Sequence, residues 1–138
     1  LNYLAKDHQK AIDFYQKAIR SKPYSIEAKF GITRPLSALG NWEQVQGTYN
    51  DILRIDPQNT TANYWLGVIH YNRKEYVQAA RLFEKEVNLY PLDYDSIIML
   101  GWTKLNQGKT TEAKLLFELA LTLRKNDESA QSGLKLIK

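Results

Sequence analysis

Apolar residues recur along this 138-residue chain at the spacing of amphipathic helices. Ala79, Phe83 and Val87 are four residues apart, so they share one helical face, and polar or charged residues fill most positions between them. A similar apolar stripe occupies 62–69, and the polar segment 71–75 separates the two stripes. The strict alternation that marks a β-strand does not compete anywhere in the sequence. The pattern therefore predicts pairs of helices joined by short polar turns.

The helical pattern repeats every 34 residues. Pro23, Pro57 and Pro91 keep this step, and each follows an expected second helix of a pair, which a proline ends. Repetition at a fixed period indicates a repeat protein, in which each helix pair buries its apolar stripe against its neighbours. Further columns keep the same step, namely Ala11, Val45, Ala79 and Ala113, the aromatic residues Tyr15, Tyr49, Phe83 and Phe117, the aliphatic residues Ile19, Leu53, Val87 and Leu121, and, half a period away, Ile32, Leu66, Leu100 and Leu134.

Local signals indicate where helices begin and end. Gly40 and Gly108 stand where a first helix of a pair stops, and glycine suits the left-handed residue that ends a helix. Asn41, followed by Gln44, resembles a capping box that opens the next helix. Pro35 falls inside an expected first helix, and we expect it to loosen or kink that helix.

The third repeat carries the clearest family resemblance. Leu66-Gly67, Ala79, Phe83 and Pro91 match the Leu-Gly step, the Ala-x3-Phe step and the closing proline of a 34-residue helix–turn–helix motif. Through these residues the chain resembles the tetratricopeptide repeat (TPR) family, over essentially its whole length. The resemblance implies an all-α, right-handed superhelix, an α-solenoid of antiparallel helix pairs, with about three and a half repeats and a C-terminal capping helix.

The register of the motif sets the expected boundaries of a single TPR domain over 1–138. Residues 1–25 hold a partial repeat, mainly its second helix, which we expect from about His8 to Arg20. Three full repeats and a capping helix follow, at 26–59, 60–93, 94–127 and 128–138. The last segment fits a capping helix or the first helix of a fifth, truncated repeat.

Glu86 departs from the pattern of its column. It occupies a position that is small or apolar in the other repeats, where Ala18, Ile52 and Ala120 stand. Burying an unpaired carboxylate costs several kcal/mol. We therefore expect Glu86 to be partly exposed.

The amino-acid composition excludes several kinds of reactive and metal-binding site. The chain has no cysteine and two histidines, which excludes thiolate chemistry and a three-histidine zinc site. Its net charge of +4 is concentrated in 1–25 and 124–138, a distribution that favours solvated chain ends over a nucleic-acid surface. No apolar run reaches the roughly 20 residues of a membrane span. We expect no nucleic-acid partner and no membrane span, and the sequence leaves a cytoplasmic and a periplasmic location both open.

No group of residues predicts catalysis, a metal site or a cofactor. The sequence Gly-Lys-Thr at 108–110 ends like a phosphate-binding loop, but Thr103 stands where that loop needs its first glycine. Asp93 and Asp95 open a helix, where aspartates cap amide groups. We therefore expect a protein that is not an enzyme and holds no cofactor.

The resemblance also implies a binding surface, because the first helices of TPR repeats line a concave groove. Its columns here are rich in aromatic residues, which are frequent interface anchors, although packing between adjacent first helices explains Val68 and Ile98 at least as well. Asn72 and Asn106 fit a role in holding a peptide backbone and equally a role in capping their helices. The predicted groove comprises Phe30, Arg34, Tyr64, Val68, Tyr71, Asn72, Ile98, Trp102, Leu105 and Asn106, with Tyr3 and Leu4 extending two columns into the first repeat.

These features predict a non-catalytic scaffold that binds a peptide or protein segment in the groove. Only one cation, Arg34, stands where a subset of the family clamps a C-terminal carboxylate, so we do not expect that clamp. The alternative is a spacer or assembly arm of a larger protein whose activity lies in another domain. The missing start of the first repeat indicates a fragment, and we expect the uncovered stripe of that end to favour self-association.

Overall fold

The computed structural model describes residues 2–137, with side chains from residue 5 onward. These residues form eight α-helices and contain no strand. The helices are α1 (Asn2–Ser21), α2 (Ile26–Ala38), α3 (Trp42–Ile55), α4 (Thr60–Asn72), α5 (Tyr76–Leu89), α6 (Tyr94–Asn106), α7 (Thr110–Leu123) and α8 (Glu128–Leu136). The predicted all-α class is confirmed. The chain divides into two compact units, Leu1–Ala62 and Asn63–Lys138.

In the first unit, α2 packs against both α1 and α3. Its core is apolar, and Ile12, Ile32, Leu36, Val45 and Ile52 are each at most 5% exposed. The predicted start of α1 was wrong, because the helix begins at Asn2 rather than near His8. The segment 2–9 contains neither glycine nor proline, so nothing in its sequence stops the helix from extending.

The apolar stripe of α1 is unevenly covered. Ile12 is 3% exposed, whereas Ala11, Tyr15 and Ile19 are half-buried. The later repeats bury the same column more completely, since 0–1% of the surface is exposed at Val45, Ala79 and Ala113. Self-association through this end stays a prediction.

In the second unit, α6 packs against α5, α7 and α8. Phe83 and Phe117 are fully buried, as their aromatic column predicts. A Cβ at Gly67 would lie 2.7 Å from the ring of Phe83, and one at Gly101 would lie 2.9 Å from the ring of Phe117. Small residues at this step therefore allow the two helices of a pair to approach closely, as the motif implies.

Three turns share one backbone geometry at the 34-residue step. Gly40 and Gly108 adopt φ of 75° and 78°, which confirms the predicted left-handed helix ends. Lys74 occupies the same place in the intervening repeat, with φ of 61°. The sequence predicted a tight turn at 71–75, but it did not predict that Lys74 would adopt the left-handed conformation.

Two other local predictions need correction. Asn41 stands at the N-cap of α3, but its side chain makes no capping hydrogen bond, so the capping box is not formed. Asp93 is the N-cap residue of α6, yet its carboxylate accepts a 2.7 Å hydrogen bond from the Ser96 hydroxyl rather than from a backbone amide. α2 continues through Pro35 and ends at Ala38.

The predicted partial exposure of Glu86 was wrong, because this residue is 0% exposed. Its column explains the result, since Ile52 and Ala120 are also 0% exposed. The register of the repeat places this position in the core whatever residue occupies it. Another polar residue, Lys104, is 7% exposed, and its ammonium group lies 3.2 Å from Glu112 and 3.6 Å from Glu84.

Candidate functional site

In the first unit, the predicted groove residues Phe30 and Arg34 lie one helical turn apart on α2. Phe30 is half-buried, and its ring centroid is 6.3 Å from that of Tyr49 on α3. Arg34 is exposed. At these two predicted groove positions, α2 therefore presents a packed aromatic ring and an exposed cation. The side chains of Tyr3 and Leu4 lie outside the described residues, and their backbone belongs to α1 rather than to a separate helix.

In the second unit, Tyr64 on α4 is a half-buried aromatic residue held by two rings. Its centroid lies 5.9 Å from Phe83 and 5.2 Å from Trp65, both in edge-to-face geometry. Burial raises the pKa of the Tyr64 phenol above its ordinary value of 10, and the charges of Asp95 and Asp93 raise it further. The hydroxyl therefore keeps its proton at neutral pH and can donate to a ligand.

A hydrogen bond joins α4 to α6 at Tyr71. The side-chain amide of Asn106 donates to the Tyr71 hydroxyl at 3.1 Å and to the Trp102 carbonyl at 2.8 Å. The second of these bonds is the helix-capping role that the sequence allowed for Asn106. Asn72, one period before Asn106, is exposed.

The indole of Trp102 on α6 is held by a hydrogen bond and by a contact with another aromatic ring. The indole N–H donates to the Ser129 hydroxyl on α8 at 2.8 Å, and the ring packs edge-on against Phe117 at 5.2 Å. Trp102 and Leu105 are half-buried against the core cluster around Phe117. The role of Ser129 was missed by the sequence analysis, because a serine on a short polar helix carries no distinctive signal.

Two of the three aliphatic groove candidates, Val68 and Ile98, pack into or against the core. Ile98 is 7% exposed and lies in the cluster with Phe117. Val68 is half-buried against Ala79 and Phe83. Both placements agree with the packing alternative for these residues. The surface that α4 and α6 leave partly open is therefore aromatic, formed by Tyr64, Tyr71 and Trp102 with Leu105 and Asn106.

The described residues contain no group of three or more histidine, aspartate or glutamate side chains arranged to hold a metal ion. His70 is engaged elsewhere, with Nδ1 2.8 Å from a carboxylate oxygen of Glu75 across the α4–α5 turn. Between residues 2 and 137, the helices are all too short or too polar to cross a membrane.

Comparison with known proteins is consistent with this architecture. Sequence profiles of the tetratricopeptide repeat match residues 35–94 and 94–127. A TPR repeat-containing protein of Methanocaldococcus jannaschii is 30% identical over 78 residues, which are 56% of this chain and 14% of that protein. The chain thus spans about one seventh of the length of this curated relative.

Solved structures show the same fold at lower sequence identity. A crystal structure of MamA superposes with a TM-score of 0.85 at 18% identity, covering 96% of this chain and 77% of MamA. MamA 41-end from Desulfovibrio magneticus RS-1 gives 0.85 at 18% identity, over 94% of this chain and 73% of that one. The first TPR of Spaghetti (RPAP3), bound to the HSP90 peptide SRMEEVD, gives 0.70 at 20% identity, over 76% and 83%. With TPR profiles matching consecutive segments from residue 35 to residue 127, this chain belongs to the tetratricopeptide repeat family.

Proposed function

We propose that this chain is a non-catalytic scaffold that binds a peptide or protein segment on the aromatic surface of α4 and α6. The supporting observation is that the half-exposed rings of this surface are held by hydrogen bonds across helices, from Asn106 to Tyr71 and from Trp102 to Ser129. Aromatic side chains that are already ordered lose little conformational entropy on binding, and they bury a large area. The peptide-bound TPR neighbour supports the same class of function.

The chemistry of the surface favours a mainly apolar segment with hydrogen-bonding groups. Tyr64 presents a protonated hydroxyl, and Asn106 has an amide oxygen in addition to its two donated hydrogen bonds. Such groups can pair with the main chain of an extended peptide. In the first unit, the exposed Arg34 on α2 is by itself a candidate contact for an acidic side chain.

The test is a titration of the chain with a segment found by peptide-library selection against the whole protein. We expect Tyr64→Ala and Trp102→Ala each to weaken binding by more than ~1 kcal/mol. Trp42→Ala is the matched control, because Trp42 is 48% exposed but lies on α3, outside this surface.

Ser129→Ala separates anchoring from packing at Trp102. It removes the acceptor of the indole N–H and leaves the ring in place. We expect a smaller loss of affinity than in Trp102→Ala, since the ring supplies most of the contact area. Unchanged affinity in both Tyr64→Ala and Trp102→Ala, with thermal melts showing folded protein, would refute the assignment.

A further inference from the structure

The early start of α1 lengthens a line of positive charge on this helix by one residue, Lys6. With the helix running from Asn2 to Ser21, Lys6 joins Lys10, Lys17 and Arg20 on one continuous helix. At 100° per residue these four side chains fall within an arc of about 80°, and they extend over about 21 Å along the axis. All four are exposed. We call them the cationic face of α1.

The cationic face lies opposite the stripe that packs inward. Ile12, Tyr15 and Ile19 are buried or half-buried on the other side of the helix. Within residues 2–137, none of the four cations forms an ion pair with a carboxylate. Asp13 falls within the same arc, and its carboxylate accepts a 3.1 Å hydrogen bond from Gln9. The face therefore carries a net charge of about +3 that the protein does not neutralise.

Two exposed aromatic residues accompany the charge. Phe14 is 67% exposed and projects at the border of the cationic face, about 40° beyond Lys10. Tyr24, in the turn that follows α1, is 82% exposed, and Lys22 beside it is exposed too. The ring of Phe14 lies edge-on to that of Tyr15, with 5.4 Å between the centroids, and most of both exposed rings is available to a partner.

We propose that the cationic face of α1 docks this chain on an anionic lipid surface, with Phe14 and Tyr24 entering the headgroup layer. Lysine and arginine beside an anionic bilayer attract its surface charge, and aromatic side chains favour the interface between headgroups and acyl chains. The face is a convex ridge on one helix, a shape that can lie on a plane. Proteins that bind single-stranded nucleic acid place their cations along a groove that follows the strand. This difference favours the membrane over a single-stranded nucleic acid.

Vesicle co-sedimentation tests the proposal directly. We expect the whole chain to bind vesicles of phosphatidylcholine and phosphatidylserine, and not vesicles of phosphatidylcholine alone, with binding that weakens as salt is added. Each lysine near an anionic surface strengthens binding about fivefold. The triple variant Lys6→Gln, Lys10→Gln, Lys17→Gln is therefore expected to lose roughly 100-fold in affinity.

A matched variant controls for net charge. Lys109→Gln, Lys114→Gln and Lys125→Gln together remove the same charge from exposed positions in the second unit, and we expect them to change binding only slightly. Phe14→Ala is expected to weaken binding several-fold without changing the melting temperature, because its ring is mostly outside the core. Equal losses in the two triple variants would refute a specific face. Absent vesicle binding by the wild type, or tighter binding to RNA than to vesicles at equal phosphate concentration, would overturn the proposal.

Discussion

The ring of Phe117 lies so close to Gly133 that a Cβ at residue 133 would stand 2.4 Å from its Cε2 atom. Phe117 is fully buried on α7, and Gly133 is buried on α8. On α6, Gly101 approaches the same ring, so two glycines from different helices contact one aromatic side chain. This close approach places α8 against the core cluster around Phe117. Ser129, on the same helix, accepts the hydrogen bond from the Trp102 indole.

Gly133→Ala is expected to lower the free energy of unfolding by about 1–3 kcal/mol, because the added methyl group overlaps a buried ring that has no room to move. Alanine is intrinsically the better helix former, so the overlap must outweigh a gain of about 1 kcal/mol. Gly47→Ala is the matched control, since a Cβ there meets no atom within 4 Å. That variant is expected to gain stability in urea unfolding, and a Gly133→Ala protein that also gained would contradict the close contact.

Lys74→Gly is expected to stabilise the chain by about 0.5–1 kcal/mol. A lysine at φ of 61° pays the steric cost of the left-handed conformation, which glycine does not. The gain is reduced because glycine loses more conformational entropy on folding. Gly108→Ala, at the equivalent turn with φ of 78°, is expected to destabilise by a similar amount. Thermal unfolding of both variants checks the pair, and the same sign of shift in both would be inconsistent with a shared turn geometry.

The repeat period explains why the fold could be predicted so fully from sequence. Equivalent positions in successive repeats share one environment, so several residues together indicate whether a position is buried. Phe83 and Phe117 are fully buried, as their aromatic column predicts. The same register would have given the helix starts. Ser25, Asn59, Asp93 and Asp127 are 34 residues apart, and three of them accept a hydrogen bond from a backbone amide three residues later. Of that column, only Asp93 was predicted to cap a helix.

Three features differ from what the sequence predicted. Lys74 takes a conformation that its own residue type disfavours, because the turn geometry of the repeat overrides the local preference. Glu86 is buried because the register of the repeat overrides the preference of a carboxylate for water. The start of α1 differs because the helix continues through Lys6, which lies one period before the left-handed turn residue Gly40. The aromatic surface was predicted by position, but its hydrogen-bond partners depend on side-chain geometry that a spacing does not contain.

A high-pH loss of stability is expected from Tyr94 at the start of α6. Its hydroxyl donates to Asp127, the N-cap residue of α8, and the Arg124 guanidinium lies 3.7 Å from the ring centroid. Burial raises the pKa of Tyr94 from its ordinary value of 10 to about 12, helped by the hydrogen bond to Asp127 and the charge of that residue and opposed by the charge of Arg124.

The sign follows from proton linkage. Between pH 10 and 12 the unfolded chain loses the Tyr94 proton while the folded chain retains it, so the stability that this residue contributes is complete below pH 10 and is lost as pH rises through 12. Tyr94→Phe is therefore expected to be less stable than wild type at neutral pH, with a difference that shrinks between pH 10 and 12. Tyr24→Phe is the control, because its ring is 82% exposed. A constant difference across this range would disprove the linkage.

Asn106 gives the most direct separation of a structural from a binding role on the aromatic surface. Its side-chain nitrogen donates to the Tyr71 hydroxyl and to the Trp102 carbonyl, which leaves the amide oxygen as the group that can accept from a peptide. Asn106→Asp keeps an acceptor and removes both donors. Asn106→Ala removes all three. We expect both variants to lose about 1 kcal/mol of stability, from the lost hydrogen bonds.

Their affinities are expected to differ. If the amide oxygen accepts a backbone N–H of the bound segment, Asn106→Asp retains most of the affinity and Asn106→Ala loses about tenfold, roughly the worth of one hydrogen bond. Tyr71→Phe removes the hydrogen bond from Asn106 but keeps the ring, so it is expected to lose less affinity than Asn106→Ala. Asn72→Ala supplies the control, because Asn72 is the exposed counterpart one period earlier. Calorimetric titration at equal salt, with urea unfolding of each variant, distinguishes the two roles. Equal affinities of Asn106→Asp and Asn106→Ala would assign this residue to the helix end alone.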